Sequence, residues 1–140
     1  MTEETKALVK STAPLIKQHG EAITQTMYPI LFERYPDAKA LFKNASDNQH
    51  KKLAASIYAY AANIDKLDAL SKAIETIATA HVKTKIKPEH YPWVRDALLS
   101  AIKQVLEKEA TPEVINAWGE AYDFLADVLI QREKELYKNS

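Results

Sequence analysis

At 140 residues and 15.8 kDa the chain has the size of one ordinary domain, long enough to bury roughly two-thirds of its unfolded surface around a single core. Nineteen Lys and Arg balance nineteen Asp and Glu, so there is no basic footprint for nucleic acid or an anionic membrane surface. The absence of cysteine excludes disulfides, thiolate metal sites and cysteine nucleophiles.

Only two glycines occur, against a usual share of roughly 7%. With no Asn-Gly or Asp-Gly hairpin signal, that scarcity argues against sheets, a phosphate loop and a dinucleotide fingerprint. The acidic start Thr2-Glu3-Glu4 lacks the layout of a signal peptide. No apolar run approaches the ~18 residues of a membrane span, and mean hydropathy is −0.35. The expectation is one soluble, cytoplasmic, mostly helical domain over residues 1–140.

In chain order, Thr2 opens a helix expected to stop at Gly20. A second runs from about Glu21 to Tyr35, where Pro36 ends it. A short piece, Pro36 to Phe42, leads into a polar loop from Lys43 to Asn48. Ser46-x-x-Gln49 reads as a capping box for the next helix, whose Leu53, Ile57, Tyr60 and Ile64 recur at helical steps. After Asp65-Lys66 the stripe Leu67, Leu70, Ile74, Ile77 continues to His81. Pro88 opens a segment reaching about Glu107. Thr111-Pro112-Glu113 starts a last helix of about 25 residues. Its stripe is Ile115, Trp118, Tyr122, Leu125, Leu129 and then Glu133. Pro14 and Pro29 fall inside helical patterns and are expected to kink them, which suits helices that bend around something.

Two polar residues on apolar stripes carry the chemistry. A lone histidine such as His81 is more often a hydrogen-bonded core residue than a ligand. Glu133 shifts that balance, because a buried carboxylate needs donors, and a ligating histidine offers its second N–H to such an acceptor. Whether the two meet is a matter of tertiary structure. Tyr28 and Gln49 also turn toward apolar neighbours, where core packing and the capping box are the plainer readings. Histidines 19, 50, 81 and 90 form no zinc or di-iron spacing.

Several separated stretches, in order, resemble the bacterial single-domain globins, similar to the Vitreoscilla-type haemoglobins and the globin module of flavohaemoglobins. They include Thr12 to Gly20, Tyr28-Pro29-Ile30-Leu31-Phe32, Tyr35-Pro36 through Leu41-Phe42, and Ala62-Asn63-Ile64. Ile77-Ala78-Thr79-Ala80-His81, Lys87 to Pro92, Ala117 to Tyr122 and Leu129 to Tyr137 complete the set. The resemblance implies an all-α globin fold, a three-on-three helical sandwich around a haem pocket. It implies haem b (iron protoporphyrin IX) with His81 as the iron ligand, Phe42 and Leu53 packing on the cofactor, Tyr91 and Glu133 as proximal partners, and Tyr28 and Gln49 as donors to a ligand on the iron. Proximal Glu133 would make the imidazole more anionic and send electron density to the metal.

This sequence departs from the family pattern at Ala80, where a basic residue is common, leaving Lys83 or Lys85 for a haem propionate. His50 follows Gln49 in place of a proline, and Pro29 follows Tyr28. The implied function is O2 binding with nitric oxide dioxygenation to nitrate. Because the chain ends where a flavin module would begin, a separate electron-donating reductase is expected. The alternatives are O2 storage, transport or delivery, haem-based gas sensing, and a cofactor-free helical interaction protein. No nucleic acid or membrane partner is expected, and the assembly is a monomer or weak homodimer.

Overall fold

The computed structural model describes residues 1–42 and 48–139, which contain seven α-helices, three 3-10 turns and no strand. The helices are α1 (Glu3–Ser11), α2 (Ala13–Arg34), α3 (Ala38–Leu41), α4 (Gln49–Ala62), α5 (Ser71–Lys83), α6 (Tyr91–Leu106) and α7 (Pro112–Lys138). The layer of α1, α4 and α5 faces the layer of α2, α6 and α7. Across the sandwich α2 packs on α4, while α5 and α1 pack on α7; within the second layer α2 packs on α6 and α6 on α7.

The helix starts follow local chemistry. Thr2 Oγ1 accepts from the Thr5 N–H at 3.0 Å, and Thr111 Oγ1 accepts from the Val114 N–H at 3.2 Å with Pro112 at the first helical position. The last helix runs 27 residues, about 40 Å. Pro36 does end α2, at Arg34 with Tyr35 as its cap.

The first break differs from expectation. It falls at Thr12, not at Gly20. The buried Thr12 hydroxyl donates to the Val9 carbonyl at 2.6 Å and accepts from Trp118 Nε1 at 3.0 Å, so a side chain competes for the backbone and α7 anchors the corner. Pro14 is therefore a start residue of α2 and kinks nothing. Gly20 lies buried in mid-helix instead, where a Cβ would stand 3.2 Å from Ala54 Cβ: it is the close-approach point of α2 on α4. Pro29 is indeed inside α2, on its exposed side. The segments opened by Leu67 and Pro88 each begin as a 3-10 turn (Leu67–Leu70 and Pro88–His90), and the α-helices proper start at Ser71 and Tyr91.

The apolar interior forms two clusters. The larger joins Val9, Ile16, Ile23, Met27, Leu31, Ile64, Ile102 and Trp118, with Tyr28, Phe32, Phe42, Leu53 and Ile57 half-buried against it. The smaller joins Ala78, Tyr91, Ala126 and Leu129 between α5, α6 and α7. Tyr122 and Leu125 border both.

Candidate cofactor site

His81 lies in the last turn of α5, held at a defined place by the way that helix ends. The Lys85 N–H bonds the Val82 carbonyl at 3.1 Å, and the Ile86 N–H bonds the His81 carbonyl at 2.9 Å, a Schellman closure with Lys85 in the left-handed region at φ 62°. A non-glycine there costs on the order of 1 kcal/mol. The bidentate pair of Arg132 with Glu75, at 2.7 Å on both arms, ties α5 to α7.

The imidazole meets both expected neighbours. Nδ1 is 3.0 Å from Glu133 Oε2 and 3.0 Å from Tyr91 Oη, and Tyr91 Oη donates to the same carboxylate oxygen at 2.7 Å. Glu133, with a side chain only 4% exposed, is thus a buried carboxylate served by two donors. Burial, reinforced by Glu133, pushes the Tyr91 phenol well above its ordinary range and keeps it protonated. Its hydrogen is committed to the carboxylate, so the proton between His81 and its partners belongs to Nδ1. In the neutral ring Nε2 then carries a lone pair, and it makes no hydrogen bond among the described residues.

Tyr122 completes this side: its hydroxyl donates to the Tyr91 backbone carbonyl at 2.7 Å. The sequence placed Tyr122 on the inward stripe without assigning it this contact. Its position about three turns before Glu133 on one face of α7 is the signal that could have found it.

Apart from this network, the Tyr28 hydroxyl is buried with no hydrogen-bond partner among the described residues. Burial pushes the phenol up to about 12, and a hydrogen-bonding influence from the nearby Gln49 side chain only partly offsets it. The Tyr28, Phe32 and Phe42 rings form a cluster with centroids 5.3–5.9 Å apart, Phe42 meeting Tyr28 edge-on. Gln49 is the first residue of α4, and Leu53 follows one turn along, both half-buried. Asn48 precedes Gln49 as the helix cap, so Gln49 is the first helical residue and not the third, which a capping box requires; Ser46 lies outside the described residues. The first turn of α4 is fixed to α2 by Thr24 Oγ1, which donates to the His50 carbonyl at 2.9 Å. The His50 tie is thus through its backbone.

The remaining candidates fall outside both groups. His90 Nδ1 accepts from the Lys87 N–H at 3.0 Å, and the ring lies against Trp93. His19 is half-buried on α2. Lys83, Lys85 and Lys87 are exposed.

The donor set tests what such a site could hold. Among the described residues no group of three His, Cys, Asp or Glu could bind a metal ion. One imidazole with a fixed Nδ1–H suits a metal whose other ligands come from a macrocycle. Half-buried Phe42, Leu53, Ile57 and Ile77 offer apolar surface to a flat group, and the buried Tyr28 hydroxyl has no hydrogen-bond partner among the described residues.

Comparison with known proteins agrees with this arrangement. The globin family model matches residues 25–129. An uncharacterized globin-like protein of Aquifex aeolicus is 54% identical over 137 residues, covering 98% of this chain and 97% of that protein. A flavohemoprotein of Rhizobium meliloti is 44% identical across the whole chain, which spans 36% of its length. The structure of an engineered carbene transferase from Rhodothermus marinus superposes with a TM-score of 0.95 at 40% identity, covering 99% of this chain and 96% of that one. The helical sandwich, the histidine at the end of α5 and these relatives have one common explanation: the chain belongs to the globin family.

Proposed function

We propose that this globin binds haem b through His81 Nε2, takes up O2, and removes nitric oxide by dioxygenation to nitrate, with electrons supplied by a reductase. Ferrous haem supplies the O2 binding and the redox chemistry. The observation that carries the reading is the His81–Tyr91–Glu133 network, where a buried carboxylate holds Nδ1–H at 3.0 Å. A carboxylate acceptor makes Nε2 a stronger donor to a metal than a neutral carbonyl acceptor does.

On the opposite side Tyr28 and Gln49 act as donors to a bound ligand, since the phenol is held protonated and unpartnered. Donors preorganised in a dry site stabilise developing negative charge at little reorganisation cost. Phe42 and Leu53 pack the cofactor, and Lys83 or Lys85, exposed beside His81, would take a propionate. Two relatives support the reading by name: the flavohemoprotein of Rhizobium meliloti for haem, and the Rhodothermus marinus protein, provisionally named a nitric oxide dioxygenase, for the chemistry.

The test has two parts. Purified protein should show a Soret band that His81→Ala abolishes. The O2-loaded protein should then consume nitric oxide with stoichiometric nitrate and continue turning over only while a reductant is supplied. Protein that takes up haem and releases O2 rapidly but leaves nitric oxide untouched is an O2 carrier, and the enzyme reading fails.

A further inference from the structure

The helix that supplies Glu133 also reaches the backbone of His81 by a second route. Tyr137, one turn beyond Glu133 on α7, donates its hydroxyl to the Ile86 carbonyl at 2.6 Å. Ile86 is the residue that closes α5. Its N–H donates to the His81 carbonyl at 2.9 Å, and Thr84 Oγ1 donates to that same carbonyl at 3.2 Å. The Ile86 side chain packs against the small cluster of Ala78, Tyr91, Ala126 and Leu129. Ile86 is therefore gripped at its N–H by His81, at its side chain by the proximal cluster and at its carbonyl by Tyr137.

We propose that Tyr137 is a positioning residue for the haem ligand: by fixing Ile86 it sets the end of α5, and so the angle at which the His81 ring meets Glu133 and Tyr91. Three features support the assignment. The turn it holds contains Lys85 in the left-handed region, a conformation that needs support from outside the turn. The Nδ1 contacts at 3.0 Å to two oxygens on different helices are sensitive to small shifts of α5. Tyr137 is 36% exposed at the edge of the molecule, so it is not a core residue whose burial would explain its place. Placing Glu133 and Tyr137 on one face of α7 makes that helix a common frame for the imidazole's acceptor and for its backbone.

The inference rests on His81 being the iron ligand. The variant is Tyr137→Phe, which keeps the ring and removes the hydroxyl. Hydrogen exchange at the Ile86 amide should quicken roughly fivefold, the weight of one net hydrogen bond, while exchange in the middle of α6 and α7 stays as in the parent. In the ferrous haem-loaded protein the iron–histidine stretching band should shift or broaden with Tyr91 and Glu133 intact. Faster exchange with an unmoved band would mean that Tyr137 only anchors the surface, and the proposal falls; unchanged exchange and an unmoved band overturn it equally. If instead the parent protein shows no iron–histidine band that His81→Ala removes, the ligand assignment itself has failed, and the positioning role falls with it.

Discussion

Glu133 and Tyr28 show opposite solutions to burying a polar group. Glu133 is satisfied by two donors, Tyr91 Oη and His81 Nδ1–H. The Tyr28 hydroxyl has no partner among the described residues, and an unsatisfied buried group costs about 1–3 kcal/mol. Tyr28→Phe is therefore expected to leave the melting temperature of the ligand-free protein unchanged or higher. In the haem-loaded protein it should raise the O2 dissociation rate by roughly tenfold or more, the loss expected for a hydrogen bond to a charged acceptor. An O2 release rate that stayed put would remove Tyr28 from the distal role. Glu133→Gln keeps the shape and removes the charge, so the iron–histidine stretching frequency should fall in resonance Raman spectra of the ferrous protein. Both residues were legible as polar positions among apolar ones. The contact between His81 and Glu133, 52 residues apart, is not legible from spacing, because it depends on how α5 docks on α7; only the family resemblance implied it.

Among the helices, the crossing of α2 and α4 decides where the distal residues stand, since Tyr28 rides on the first and Gln49 and Leu53 on the second. Gly20 permits the crossing, with Ala54 Cβ 3.2 Å from where its own Cβ would be. Thr24 adds a hydrogen bond to the His50 carbonyl close by. Gly20→Leu should force the helices apart and cost about 1–3 kcal/mol, read from the denaturant midpoint; an unchanged midpoint would show that the crossing has slack. In the sequence Gly20 has the look of a helix stop, because glycine most often ends helices. A glycine required for close packing carries the same letter, and only the neighbouring helix tells them apart. Thr12 misled in the converse way. Its break depends on a hydroxyl that Trp118 stabilises from the far end of the chain.

For the molecule as a whole, buried phenols set the alkaline limit. Burial raises Tyr28 to about 12 and drives Tyr60, Tyr91 and Tyr122 higher still. An unfolded tyrosine titrates near 10, so between the two values the folded chain holds more protons than the unfolded one. Stability from these groups is fully present below about pH 10 and is lost as pH rises through the folded values. The melting temperature should be flat from about pH 8 to 9.5 and fall with increasing slope above 10. A flat profile to pH 11 would contradict the burial of these hydroxyls. Tyr60, whose hydroxyl donates to the Ala121 carbonyl at 2.7 Å, ties α4 to α7 across the layers, and Tyr122 ties α7 to α6 within one, so their ionisation would loosen the sandwich both between and within its layers.

Composition and period alone determined an all-helical chain with no cysteine ligand, the start of the last helix at Thr111, its end-to-end apolar stripe and the two misplaced polar residues on inward faces. These are local properties, set by capping chemistry and by which side of a helix is apolar. Tertiary structure decided how His81 and Tyr91 converge on one Glu133 oxygen, a grouping that the resemblance implied and spacing did not, that Gly20 marks a helix crossing, and that Tyr122 and Tyr137 brace the network from α7. Those depend on contacts between distant segments, whose geometry follows from how whole helices pack and not from spacing along any one of them.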